Sequence, residues 1–169
     1  RAFAVNAGGD VVVRGEPVPG EPWRVGIRHP ERADRVAAVL RLRDGAVATS
    51  GLYERGAHVR DPRTGRVPGD LVSLTVVGPR LGLADAYATA AFAMGAAGPG
   101  WVARQAGWGV LAIDRAGVMR WSDLVEPLLG RAGDPAPHPD GSSGLLQDGG
   151  VQHHHAPAHE PLPSRPETA

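Results

Sequence analysis

Two small groups of polar residues carry whatever chemistry this chain has. The first is the run His58-Val59-Arg60-Asp61-Pro62-Arg63-Thr64-Gly65, which sets a histidine, a carboxylate and a tight turn within eight residues. Pro62 pre-sets φ at the second turn position, Asp61 can accept backbone N–H bonds from the residues ahead, and Gly65 supplies a permissive exit. On an extended segment His58 and Arg60 point to one side and Val59 and Asp61 to the other, so backbone and side chains both face a ligand. His58, near neutral pKa, is suited to act as a general base or to donate to a phosphate; the plain alternative is a structural turn.

The second group is Asp85 and Thr89, four residues apart on an otherwise apolar helix and therefore on one flank of it. One anionic and one hydroxyl oxygen at that spacing suit a hard cation such as Mg²⁺, which takes few protein ligands and completes its shell with water and phosphate. The alternative is that Asp85 is an N-cap and Thr89 bonds back to the carbonyl four residues earlier. Thr49-Ser50-Gly51, followed by Tyr53 and Arg55, reads as a loop whose hydroxyls and amides could cradle phosphate oxygens or merely turn the chain. Together these groups predict a site for a phosphorylated ligand with a metal ion.

Composition narrows the field. All 18 basic side chains are arginine, which excludes Schiff-base chemistry and a P-loop within the chain. Without cysteine there is neither a disulfide framework nor a thiolate site. Charges balance at 18 and 18, so no nucleic-acid partner is advertised. The first 133 residues nevertheless hold seventeen arginines against thirteen acids, a mildly basic body suited to an anionic ligand. No apolar stretch of about 18 residues marks a membrane span.

The elements that must position these residues follow from periodicity. Ala2 to Asn6 and Val11 to Arg14 are short strands around Ala7-Gly8-Gly9-Asp10. That run lacks the third glycine and the following helix of a dinucleotide fingerprint. Trp23 to Arg28 alternates as a half-exposed strand. Val36 to Leu42, Asp44-Gly45 and Ala46 to Thr49 predict a hairpin with a type I′ turn. Leu71 to Val77 alternates and stops at Pro79. Leu83 to Met94 is a strong helix former with Gly95 as its stop. Trp101 to Gln105 predicts a helical turn, and Gly109 to Asp114 with Val118 to Trp121 a hairpin. The class is α+β, a largely antiparallel sheet with one main helix packed on it.

Residues 1–133 form one unit in this reading, and 134–169 a disordered Pro/His-rich tail. The tail holds seven prolines and five of the seven histidines, with too little apolar surface to offset its ordering entropy. Arg1 lacks a preceding methionine and the first residues already form a strand, so the numbering is expected to begin inside a longer protein.

In order, Asn6-Ala7-Gly8-Gly9-Asp10, Thr49-Ser50-Gly51 with Tyr53, the His58 to Gly65 block, and Ala84-Asp85-Ala86 with Thr89 and Gly95 resemble the C-terminal half of the ApbE family, the FAD:protein FMN transferases. The similarity runs from about Ala2 to Ser122. The resemblance implies Mg²⁺-dependent transfer of FMN from FAD to a threonine hydroxyl of an acceptor flavoprotein, with release of AMP. It implies Asp85 and Thr89 as Mg²⁺ ligands, His58 and Asp85 as catalytic, and Thr49, Ser50, Gly51, His58, Val59 and Asp61 along the FAD site. The family's upstream half, with a lysine-glycine segment and a further metal ligand, is absent from this sequence. The rival expectations are a non-catalytic FAD-binding module and an inactive truncated remnant. Family members are bacterial and often exported or lipid-anchored, so the resemblance implies a bacterial protein that is exported, membrane-anchored or otherwise cytoplasmic.

Overall fold

The computed structural model describes residues 1–52 and 59–130, together with the backbone of 144–146 and 159–161. Its strands are β1 (Phe3–Ala7), β2 (Asp10–Arg14), β3 (Trp23–Arg28), β4 (Val36–Leu42), β5 (Gly45–Gly51), β6 (Leu71–Gly78), β7 (Gly109–Asp114), β8 (Met119–Trp121), β9 (Gly144–Leu146) and β10 (His159–Pro161). The helices are α1 (Leu81–Ala93) and α2 (Gly98–Ala103), with single 3₁₀ turns at Gly95–Ala97 and Glu126–Leu128. One sheet has the order β1-β2-β5-β6-β7-β8-β10 and the other β4-β3-β9. Pairing is antiparallel except where β9 joins β3 and β10 joins β8. The expected α+β class and antiparallel sheet are therefore what the chain forms.

Alternation along the central strands divides the interior in two. Val47, Val77, Leu111 and Ile113 face the smaller sheet and meet Val25, Ile27, Leu40 and Leu42 from it. Ala48, Val76, Val110 and Ala112 face the opposite way and meet Ala84, Ala88, Ala91 and Phe92 of α1. The molecule is thus three layers deep, small sheet, large sheet, helix. Each fully buried side chain such as Ile27 or Leu40 contributes roughly 1.5–3 kcal/mol of transfer free energy.

The expected hairpin between Val36–Leu42 and Ala46–Thr49 does not form. β4 pairs with β3, whereas β5 pairs with β2 and β6, so the two runs belong to different sheets. Gly45 opens β5 without the positive φ that a type I′ turn would demand. The reason lies in burial: every residue of β5 is buried, and a strand covered on both faces needs a neighbour on each edge and a layer above and below. Asp44 instead accepts from the Gly15 amide at 3.2 Å, which ties the crossing between sheets to the end of β2. By contrast Gly8-Gly9 joins β1 to β2 tightly, as expected, and β7 and β8 form the expected hairpin.

α1 begins after Pro79 and ends where Gly95 takes φ +60°, the left-handed exit that an L side chain resists. Gly98 then brings α2 onto α1, because a Cβ there would lie 1.9 Å from the Ala91 carbonyl oxygen. Among the described residues no helix is long and apolar enough to cross a membrane. Most of the predicted tail lies outside the described residues; β9 and β10 are the parts of it that are described.

Candidate functional site

α1 is built largely of alanine on its inward side, where Ala84, Ala88 and Ala91 are fully buried and let the helix axis lie close to β5 and β6. Asp85 and Thr89 follow Ala84 and Ala88 by one residue each and therefore form a stripe beside the buried one. Both are exposed. Tyr87 occupies the other flank and meets the rings of Trp101 and Trp108 edge-on, with centroids 5.2 and 4.8 Å away. The helix thus separates an aromatic side from a side carrying a carboxylate and a hydroxyl.

That second flank overhangs the end of β5. Thr89 Oγ1 lies 3.2 Å from Ser50 Oγ, a hydrogen bond from helix to strand. One ordinary reading of the helical pair does not hold: α1 starts at Leu81, which leaves Asp85 in its second turn and not at the N-cap; Thr89 shares a hydrogen bond with Ser50 across the layer. Asp85, Thr89 and Ser50 are therefore brought together by the packing of one helix on one strand.

Thr49, Ser50 and Gly51 are strand and not loop. They pair with Thr75, Leu74 and Ser73 of β6, so their backbone is committed to the ladder on that side. The pairing of β5 with β2 stops at Val47, beyond which β5 projects past its neighbour. Thr49 and Ser50 point to opposite faces. Thr49 Oγ1 meets Thr75 Oγ1 at 2.8 Å in the layer between the sheets, while Ser50 turns to the helix. The two hydroxyls that looked equivalent in sequence do not converge on one pocket.

The Asp61 turn forms as its residues dictate. Gly65 and Thr64 donate to the Asp61 carbonyl at 2.8 and 3.3 Å, Asp61 donates to the Arg66 carbonyl at 2.9 Å, and the Arg63 amide donates to Asp61 Oδ1 at 2.9 Å. That amide bond, together with the Arg63 guanidinium, holds the Asp61 carboxyl below the usual carboxylate range. Val59 turns its side chain into the helix-side core, so what it offers a ligand is backbone. His58 lies outside the described residues, as do Tyr53 and Arg55.

The donor set fits a magnesium-like cation better than a transition metal. Among the described residues no three His, Cys, Asp or Glu side chains cluster. One carboxylate and one hydroxyl on a helical flank leave most of a hard cation's shell for water and a phosphate. Sequence reasoning paired Asp85 with Thr89 and set Ser50 along the FAD site, but did not pair Ser50 with Thr89. Alternation in β5 was the available signal, yet only the position of α1 says which face it crosses.

Comparison with known proteins gives the family and the fold. The ApbE family model matches residues 1–112. The FAD:protein FMN transferase of Salmonella typhimurium is 34% identical over 125 residues, covering 68% of this chain and 36% of that protein. Among solved structures, the ApbE protein of Thermotoga maritima superposes with a TM-score of 0.66 at 32% identity over 77% of this chain and 45% of its own. The flavin transferase ApbE of Vibrio cholerae gives 0.63 at 31% identity, covering 75% of this chain and 44% of its own. The chain spans about a third of the length of that Salmonella relative and less than half of these structures. With the family model matched over residues 1–112 of 169, this chain belongs to the ApbE family.

Proposed function

We propose that this chain supplies part of a flavin transferase that moves FMN from FAD to a threonine hydroxyl of an acceptor flavoprotein. The observation that carries this reading is the grouping of Asp85 and Thr89 on one flank of α1, over the end of β5, in a chain of the ApbE family. Transfer forms a bond between the threonine oxygen and the FMN phosphorus, breaks the phosphoanhydride bond to AMP, and sends the hydroxyl proton to a base. AMP leaves with the bonding electron pair.

Asp85 and Thr89 would hold Mg²⁺, with Asp85 providing the charge and Thr89 a neutral oxygen. When bound, the cation neutralises charge developing on the diphosphate. Asp85 stands on an exposed flank where an anionic cofactor can reach it, and Thr89 is oriented by Ser50. The Asp61 turn is pinned by its own amide bonds and would present backbone to the flavin. His58 is assigned, on family resemblance, to accepting the threonine proton or contacting the flavin.

Mass spectrometry of a threonine-bearing acceptor domain, incubated with the full-length gene product, FAD and Mg²⁺, tests the proposal. Covalent FMN on the acceptor, lost on chelation and in Asp85→Ala, is the expected outcome. Tight FAD binding with no modified acceptor would assign a flavin-binding module instead. Transfer that persists unchanged in Asp85→Ala would remove the metal assignment.

A further inference from the structure

Thr89 sits where a helical threonine ordinarily has two choices. Its hydroxyl can turn back to the carbonyl four residues earlier, here that of Asp85, or it can project sideways from the helix. The proton count then matters. A hydroxyl has one hydrogen and two lone pairs, and an oxygen that offers a lone pair outward must place its hydrogen elsewhere. Ser50 Oγ stands 3.2 Å from Thr89 Oγ1 and is itself buried, at 8% exposure, on a strand whose backbone is locked in the sheet. Either oxygen can donate across that contact; Ser50 is the fixed partner, able to accept the Thr89 proton, whereas Thr89 is exposed.

We infer that Ser50 is a positioning residue: by accepting the Thr89 hydroxyl proton it holds Thr89 away from the Asp85 carbonyl, so that an oxygen lone pair is presented beside the Asp85 carboxylate for a divalent cation. The inference rests on the proposal that Asp85 and Thr89 hold Mg²⁺. It gives Ser50 a role that acts through Thr89, besides the place along the FAD site that the family resemblance implies. Thr49, one residue earlier, turns its hydroxyl to Thr75 in the other layer. The replacement Ser50→Ala leaves the fold intact, because the exposed Thr89 hydroxyl is then free to bond to water or to the Asp85 carbonyl and no buried group is orphaned.

Calorimetric titration of the FAD-loaded, full-length gene product with Mg²⁺ reads the effect directly. Ser50→Ala should weaken Mg²⁺ about three- to tenfold, the worth of one hydroxyl hydrogen bond, with the melting temperature in chelator unchanged. In a Thr89→Ala background the same Ser50 replacement should weaken Mg²⁺ no further, since Ser50 acts only through Thr89. Equal losses in both backgrounds, or a drop in melting temperature without any change in Mg²⁺ affinity, would overturn the inference. Asp85→Ala separates its failure from that of the underlying reading. If Asp85→Ala abolishes Mg²⁺ binding and Ser50→Ala does nothing, only the role of Ser50 falls; if Asp85→Ala leaves Mg²⁺ binding intact, the metal site itself falls.

Discussion

The two faces of the large sheet are made from the same strands and differ in what their polar groups are for. Toward the small sheet, hydroxyls are sealed: Thr49 and Thr75 are 7% and 0% exposed and bond to each other. Toward the helix, Ser50 is buried but reaches Thr89, which is exposed, and Asp85 stands one turn away from it. A buried hydroxyl pair of this kind holds a layer together. A hydroxyl whose partner faces solvent can pass its orientation on to a ligand. Neighbouring residues of one strand thus serve stability and chemistry separately, and substitutions on the two faces should fail in different ways.

The largest loss should come from the inter-sheet face. Leu111 is fully buried there, and Leu111→Ala should lower stability by about 2–5 kcal/mol through lost transfer energy and a cavity, read by urea unfolding. Activity per folded molecule should be kept. On the helix flank the pattern reverses. Asp85→Ala should reduce FMN transfer by roughly 100-fold, about 2.7 kcal/mol on the barrier, while the unfolding midpoint stays put because the residue is exposed. A stability loss in Asp85→Ala as large as that in Leu111→Ala would erase the distinction between the faces.

Smaller changes sharpen it. Thr75→Val keeps the shape of the inter-sheet layer and removes one half of the Thr49–Thr75 bond, which should cost about 1 kcal/mol of stability with Mg²⁺ affinity untouched. Ser50→Ala should do the opposite. The smallest effect is a pH dependence at the rim of the small sheet. Burial, aided by the nearby Arg32 guanidinium, lowers the pKa of His29, whose Nδ1 accepts the Glu31 amide at 3.1 Å. Since the unfolded histidine binds its proton more readily, the stability this group contributes is present above the unfolded pKa of about 6.5. It is lost as pH falls below that value toward the lowered folded one. His29→Gln should flatten the pH dependence of stability slightly below about pH 6.5, and an unchanged slope there would show that the group makes no such contribution.

How far the fold was legible depends on whether a feature is local. The Gly8-Gly9 connection, the β7–β8 hairpin, the helix ending at Gly95 and the Asp61 turn all depend on a few consecutive residues, and the sequence names them. The supposed Val36–Thr49 hairpin is the instructive failure. Asp44-Gly45 between two apolar runs carries a strong local hairpin signal, but β5 is buried on both faces and its partners, β2 and β6, come from distant parts of the chain.

By itself the sequence determined the class of the fold, its family resemblance and the stacking of Asp85 with Thr89, because helical periodicity and turn chemistry are properties of short segments. Only the tertiary structure decided that Ser50 joins them while Thr49 is shut away. Alternation says that neighbours on a strand point apart, but which side is chemical depends on where a helix thirty residues later comes to rest, and long-range packing settles that.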